Sequence, residues 1–426
     1  MGKLSRGVSI IGIGFTPLGR VNETPELMGF TERELVSMAA MEAMEDGNIS
    51  AQDIDVFYLG MSGPNFSSKI KSAAPHFSEW LGMQYKPGIF HDEGCGSQAA
   101  GLADAVAAVS SGLYDVALTV GLNINSCIVR DAGLPLHMRS ERSHDSLMDA
   151  VYAGLDSTYE KVGMPGVLDA MAVAYCNKYG VSFHDIDEAL TSYMIHQREQ
   201  VRLNPKALLV TEGYEEEAKR FGFDDVHAYL TDKRYSPMMG SVIRGRHLGT
   251  NCDGASAAIV CRTEDAHKYV SKPVEVAGIS TVCAPQRGFV EYPIPPLVKA
   301  FEDAYEMADI TDPASQIDQM QIMDAPPTSV LVGAEIGGFI EPGEAWRYMR
   351  DWRIGIDGEK PINTNGGLCQ HGHALAPSWM TQVAEIVAQM RGEAGDRQQK
   401  EAPKTGVVYG GGGGFNLGVG VFRAGW

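Results

Sequence analysis

MAAMEAMEDGNISAQDIDVFYLG, residues 38–60, reads as an amphipathic helix, an acidic Asp-Gly stop and a buried strand. PPLVKAFEDAYEMADITDPASQIDQMQIMD, residues 295–324, repeats that order in the second half of the chain. The segments downstream of the two copies also correspond. HDEGCGSQAAGLADAVAAVSSG (91–112) and GGLCQHGHALAPSWMTQVAEIVAQM (366–390) are glycine-rich loops that run into helices. YDVALTVG (114–121) is a strand, and GVVYGGGGGFNLGVGVF (406–422) is a strand pair around a glycine loop in the matching place. The recurring order of strand and helix predicts an α/β fold, with a mostly parallel sheet because parallel strands need helical crossovers. Two copies of one unit would meet with their loop-to-helix starts facing each other. Cys95 and His373 would then share one cleft.

Upstream, RGVSIIGIGFTPLG (6–19) is a β-branched run stopped by glycines, a core strand in pattern. Between Asn125 and Leu230 strand signals are few and helical ones several, as in DAMAVAYCNKYG (169–180) and IDEALTSYMIHQREQVRL (186–203). The expected organisation is therefore an N-terminal half, residues 1–124 plus 232–270, a helical insertion, 125–231, and a C-terminal half, 271–426. A length of 426 residues exceeds what one core usually supports, and an apolar content of 44% can fill two.

Lys and Arg number 35 against 54 Asp and Glu, and the net charge of -19 opposes nucleic acid and anionic membrane surfaces as partners. No window approaches the roughly 18 apolar residues of a membrane span, and the start lacks a leader pattern, so the chain reads as cytoplasmic. The seven cysteines are scattered, with no CxxC pair to hold zinc, which suits reduced thiols.

Cys95 opens a helix in Gly-Cys-Gly-Ser, where unpaired N–H groups and the helix dipole favour a thiolate. A small buried core residue is the other reading of the same position. His373 lies among glycines that let a ligand approach the backbone, as a base or oxyanion donor, and His371 rivals it. HxH also suggests a metal, yet no third ligand is identifiable, and none is expected. Gly410–Gly414 lacks the Gly-Lys-Ser/Thr ending of a phosphate loop and reads as a tight turn or an oxyanion-binding backbone. Arg244, Arg246 and His247 cluster ahead of an Asp-Gly turn, a candidate phosphate contact or a solvated loop, with Lys69 and Lys71 a weaker candidate.

Taken together, these segments resemble the thiolase superfamily over nearly the whole chain. RGVSIIGIGFTPLGR (6–20) with TERELVSMAAMEAMEDGNISAQDIDVFYLG (31–60) is similar to its opening strand, helix and strand. EGCGSQAAGLADAVAAVSSGLYDVALTVG (93–121) resembles the nucleophile segment, with Cys95 at the acyl-accepting cysteine. CDGASAAIV (252–260) resembles the Ser-Asp-Gly-Ala-Ala element, and INTNGGLCQHGHALAP (362–377) the Asn-x-x-Gly-Gly, Gly-His-Pro block. The style of the insertion is nearest the sterol-carrier-protein-type thiolases and their bacterial and archaeal relatives.

The resemblance implies a five-layered α-β-α-β-α fold and a homodimeric core. It implies a small zinc-ribbon/OB-fold acyl-CoA-binding partner subunit, and coenzyme A as substrate with no permanently bound cofactor. It further implies that Cys95 takes an acyl group as a thioester, activated by His373, with an oxyanion hole from Cys95 and Gly411. The acyl group then passes to CoA in thiolysis or to a carbanion in Claisen condensation.

Three positions depart from the family pattern. Ala374 replaces the proline of Gly-His-Pro. Met323, in MDAPPTS (323–329), stands where relatives carry Asn or His. Tyr409-Gly410-Gly411 stands where many carry an acid/base cysteine in Cys-x-Gly. Tyr409, Asp324 and His371 are candidate substitutes. The leading expectation is a thiolase acting on an unusual 3-oxoacyl-CoA, aromatic or dicarboxylic, such as benzoylsuccinyl-CoA. The alternatives are a Claisen-type acyltransferase and a non-catalytic acyl-CoA-binding scaffold.

Overall fold

The computed structural model describes residues 2–62, 72–125, 164–284, 291–412 and 416–426. The strands are β1 (Val8–Phe15), β2 (Val56–Gly60), β3 (Gly88–His91), β4 (Val116–Asn123), β5 (Gly254–Arg262), β6 (Val274–Cys283), β7 (Gln319–Ile322), β8 (Thr405–Gly412) and β9 (Asn416–Ala424). They form one nine-stranded sheet in the order β3-β2-β4-β5-β1-β6-β9-β8-β7. The duplication is visible in that order, since β2-β4-β5-β1 is mirrored by β7-β8-β9-β6 across the central β1–β6 pair. It extends to detail. β1 shifts register between Ile10 and Gly12, and β6 between Val276 and Gly278. A Cβ on Gly12 would lie 2.0 Å from the Ala43 carbonyl oxygen, and one on Gly278 would lie 2.2 Å from that of Ala304. Each half thus uses a glycine at a bulge to seat a helix directly on the strand.

The expectation of a mostly parallel sheet is corrected. Only β2 with β3 and β4, and β7 with β8, pair in parallel; the other neighbours are antiparallel. β8 and β9 are joined by a connection of a few residues, which reaches only an antiparallel neighbour. In the first half β4 and β5 are the same antiparallel pair, and the helical segment lies between them in sequence instead of a tight turn.

Seven helices matter for the site: α1 (Glu32–Asp46), α2 (Ser97–Ser111), α3 (Met164–Tyr179), α4 (Phe183–Val201), α5 (Pro295–Met307), α6 (Gly367–His371) and α7 (Ser378–Arg391). Local chemistry sets their ends. Thr31 and Glu34 form a capping box on α1, Pro295 opens α5, and α2 and α7 both stop at left-handed glycines, Gly112 and Gly392. Alternation along the strands separates three cores. Phe57 and Leu59 of β2 pack with Leu35, Val36 and Ala39 of α1. Val56 and Tyr58 face the other way, toward Leu102 and Val106 of α2 and Met380 and Val383 of α7, together with Val408 and Phe422. Val407 and Val419 pack with Leu297 and Phe301 of α5 and with residues of α3 and α4. The layers therefore run α1, first half-sheet, α2 with α7, second half-sheet, α5. The central layer, buried on nearly all sides, is where the two loop-to-helix starts meet.

Arg391 at the end of α7 staples the halves. Its Nη1 donates to both carboxylate oxygens of Asp46 in α1 (3.0 and 2.8 Å), its Nη2 to the Ile11 carbonyl and its Nε to the Lys272 carbonyl. The guanidinium is buried. Removing one partner of such a pair strands the others, so Arg391→Ala is expected to lower stability by about 3 kcal/mol. Urea unfolding midpoints of the two proteins check this.

Candidate active site

Cys95 sits in a tight turn, Gly94–Gly96, directly ahead of α2. Ser97 Oγ accepts from the Glu93 N–H (2.8 Å) and lies within bonding distance of the Gly94 carbonyl (2.7 Å), closing the turn. One residue on, Gln98 Nε2 donates to the Ser256 carbonyl in β5 (3.0 Å). Ser256 Oγ lies 2.6 Å from Gln98 Oε1 and 2.9 Å from the Pro377 carbonyl, just before α7. The Cys95 turn is thereby tied to the block that carries His373. Its other side rests on the end of β8, where a Cβ at Gly412 would lie 1.7 Å from the Glu93 carbonyl oxygen. Only glycine allows that approach.

His373 is held by its own backbone, which donates to the Thr250 carbonyl (2.9 Å) and accepts from the Cys252 N–H (3.0 Å). Gly372 before it has φ of +114°, which favours glycine. The His373 Nε2 lies 3.2 Å from Cys95 Sγ, a contact between residues 278 apart in the chain. Its Nδ1 lies 3.0 Å from Ser378 Oγ at the start of α7. Burial pushes the imidazole pKa down to about 4, so the ring is neutral at neutral pH. For Nε2 to accept the thiol proton, the ring proton must sit on Nδ1, where Ser378 Oγ accepts it. The sequence does not single out Ser378. Its only signal is its place at a helix start five residues after His373.

The other candidates are placed elsewhere. His371 is fully buried with its ring edge-on to Phe15 (6.1 Å between centroids), and neither ring nitrogen has a hydrogen-bond partner among the described residues. Burial and the nearby Arg397 and Lys206 push its pKa to about 3. Asp324 is fully buried and holds the loop before His373: its Oδ1 accepts from the Leu368 N–H (2.6 Å) and its Oδ2 from the Tyr193 hydroxyl (2.7 Å). Desolvation raises its carboxyl pKa. Tyr409 points into the outer core against Phe301, whereas Cys95 packs against the central one, so Tyr409 stands on the opposite side of the sheet. The position that faces Cys95's layer is Gly410, where a Cβ would meet the Met323 methyl at 2.9 Å and Trp379 at 3.0 Å. Met323 and the Tyr409-Gly410-Gly411 segment are thus one packing unit, the Met323 side chain filling the space over Gly410. Gly411 follows in the strand end that abuts the Cys95 turn.

Arg244, Arg246 and His247 are spent on internal contacts. Arg244 makes a two-pronged pair with Asp187 (2.7 and 2.6 Å), Arg246 pairs with Glu217 (2.8 Å), and His247 is buried beside Thr191. These contacts tie the cluster to the insertion, where Glu217 also pairs with Arg198 (3.0 Å). Lys69 and Lys71, Gly413 and Gly414 lie outside the described residues. Among the described residues no group of three or more His, Cys, Asp or Glu side chains is placed to hold a metal, and no helix is long and apolar enough to cross a membrane.

Three buried histidines, His247, His371 and His373, have pKa values pushed to about 4, about 3 and about 4. The unfolded chain binds protons near pH 6.5 that the folded one refuses. Stability is therefore full above that pH and falls as pH drops from about 6.5 toward 4, by about 1.4 kcal/mol per pH unit for each histidine. Urea midpoints at pH 7 and pH 5.5 test this.

A duplicated α/β sheet whose two loop-to-helix starts bring a cysteine and a neutral histidine together defines a two-lobed cysteine–histidine fold class. Comparison with known proteins names it. The profile of the family described as Thiolase C-terminal domain-like matches residues 293–420. Acetyl-CoA acetyltransferase of Methanothermobacter thermautotrophicus is 26% identical over 98% of this chain and 99% of its own length. Benzoylsuccinyl-CoA thiolase subunit BbsB of Thauera aromatica is 24% identical over 97% of this chain and 96% of its own. The solved structure of the Ltp2-ChsH2(DUF35) aldolase superposes with a TM-score of 0.75 at 20% identity, covering 99% of both chains. The chain is thus similar to thiolase-type proteins over nearly its whole length, and its residues 293–420 match the thiolase C-terminal domain-like family.

Proposed function

We propose that this protein is an acyltransferase of the thiolase type that works through a thioester on Cys95. The observation that carries the reading is the 3.2 Å contact of Cys95 Sγ with the Nε2 of a histidine that burial keeps neutral. His373 takes the thiol proton, the sulfur attacks the thioester carbonyl of an acyl-CoA, and the departing CoA sulfur takes the proton back from His373. In the second half-reaction the acyl group passes to a thiol or to a CoA-thioester carbanion. Backbone N–H groups at Cys95 and Gly411 are the proposed oxyanion donors. Acetyl-CoA acetyltransferase and thiolase relatives that align over nearly the full chain support CoA as the substrate handle.

The apolar unit of Met323 over Gly410 supplies no proton donor beside the nucleophile. A substrate whose enolate is stabilised by its own conjugation, such as an aromatic 3-oxoacyl-CoA, needs that donor least. We take an aromatic or dicarboxylic acyl group as the preferred substrate, in keeping with the benzoylsuccinyl-CoA thiolase relative. A homodimer is supported by β3, which forms an edge of the sheet among the described residues and exposes Ile89, with Tyr85 fully exposed beside it. An additional small zinc-ribbon/OB-fold subunit is supported by a relative described as a subunit and by a neighbour described under the paired name Ltp2-ChsH2(DUF35).

The test is exchange of radiolabelled CoA into a panel of acyl-CoA thioesters, since formation of an acyl-enzyme releases CoA even without the second acceptor. Exchange supports the reading. Its absence across acetyl-, benzoyl- and succinyl-CoA, with the dimer and partner present, supports the binding scaffold instead.

A further inference from the structure

Four positions of the β8–β9 pair face the central layer beside the nucleophile turn: Gly410 opposite Gly418, and Gly412 opposite Asn416. Leu417 and Val419, which alternate with them, point into the outer core. Three of the four are glycine, and each is filled by a neighbour. A Cβ at Gly410 would meet Met323 and Trp379, one at Gly412 the Glu93 carbonyl, and one at Gly418 the Cβ of Ala99 in α2 (2.8 Å). The fourth, Asn416, is the one position of this patch that keeps a side chain. It borders the nucleophile turn directly, because a Cβ on Gly96 would lie 3.6 Å from the Asn416 Cβ and 3.2 Å from its carbonyl oxygen.

The Asn416 side chain is nine-tenths buried and its Oδ1 has no hydrogen-bond partner among the described residues. A buried amide end without a partner is a standing cost, and a site that binds a polar ligand is where such a cost is recovered. An amide turns over about its last bond, presenting either oxygen or NH2 at that position. Building on the thioester reading of Cys95, we propose that the Asn416 amide hydrogen-bonds the acyl group carried on Cys95, donating to the thioester carbonyl oxygen as negative charge develops on it. Asn416 thereby supplies on the β9 side the polar contact that Met323 and Gly410 withhold on the other.

The test compares two reactions of Cys95 in the full chain. Acylation by acetyl-, benzoyl- or succinyl-CoA, followed by intact mass, builds charge on a carbonyl oxygen. Alkylation by iodoacetamide uses the same sulfur and builds none. Asn416→Ala is expected to slow acylation by about 100-fold and to leave the alkylation rate and its pH profile unchanged. Asn416→Leu, similar in volume and without polar atoms, gives the same contrast if the alanine variant fails to fold. Acylation at the wild-type rate, or a parallel fall in alkylation, overturns the role of Asn416 alone. A wild type that no acyl-CoA acylates overturns the thioester reading and this inference with it.

Discussion

Cys95→Ser is expected to abolish exchange of labelled CoA into acyl-CoA, with a loss of at least about 10⁴-fold, the scale seen when the nucleophile of a covalent mechanism is removed. A serine hydroxyl stays protonated where a thiol ionises, and the neutral imidazole at 3.2 Å is too weak a base to compensate. The substitution keeps nearly the same volume in a turn set by Ser97, Gln98 and the close approach of Gly412, so folding and ligand binding should persist. Retained binding of an acyl-CoA by calorimetry alongside lost exchange is the expected pair of results. Full exchange in the variant would place the chemistry on another group.

His373→Ala is expected to lower the acylation rate by about 10²- to 10⁴-fold, the usual contribution of a general base. Its pH dependence carries more information than its size. A histidine with an ordinary pKa would lose its basic form as pH falls through about 6.5, whereas burial moves that loss here to about 4. The wild-type acylation rate should therefore show no histidine step between pH 8 and 5, measured in brief assays while the protein remains folded. The variant should gain rate with rising pH, because hydroxide then replaces the imidazole in deprotonating the thiol. A wild-type profile with a step near pH 6.5 would show that the ring is solvated and the closed geometry is not the working one.

Much of the architecture is legible in the chain itself, because each half writes the same helix, acidic linker and strand, and the apolar periodicities differ enough to separate them. Strand direction is not. GASAAIV in β5 has the same composition parallel or antiparallel, and only the short β8–β9 connection constrains it. At the site, Cys95 and His373 announce themselves through their glycines and their helix starts. Tyr409, by contrast, is one residue from the face that matters, and strand alternation sends it to the outer core while Gly410 takes the inward position. Asp324 and the Arg244 cluster look available in sequence because their partners, Leu368, Tyr193 and Asp187, are remote in the chain. Ser378 and Asn416 carry little local signal, since a serine at a helix start and an asparagine at a strand start are commonplace. Their meaning comes from the neighbours that the fold puts beside them.

The most direct measurement is intact-mass analysis of the protein quenched in acid after incubation with a panel of acyl-CoA thioesters, with the modified peptide then sequenced. The expected result is one acyl increment per chain, confined to the peptide containing Cys95, removed by added CoA and absent from Cys95→Ser. An unmodified chain under these conditions, or an acyl group carried elsewhere, would contradict a nucleophilic Cys95 activated by His373.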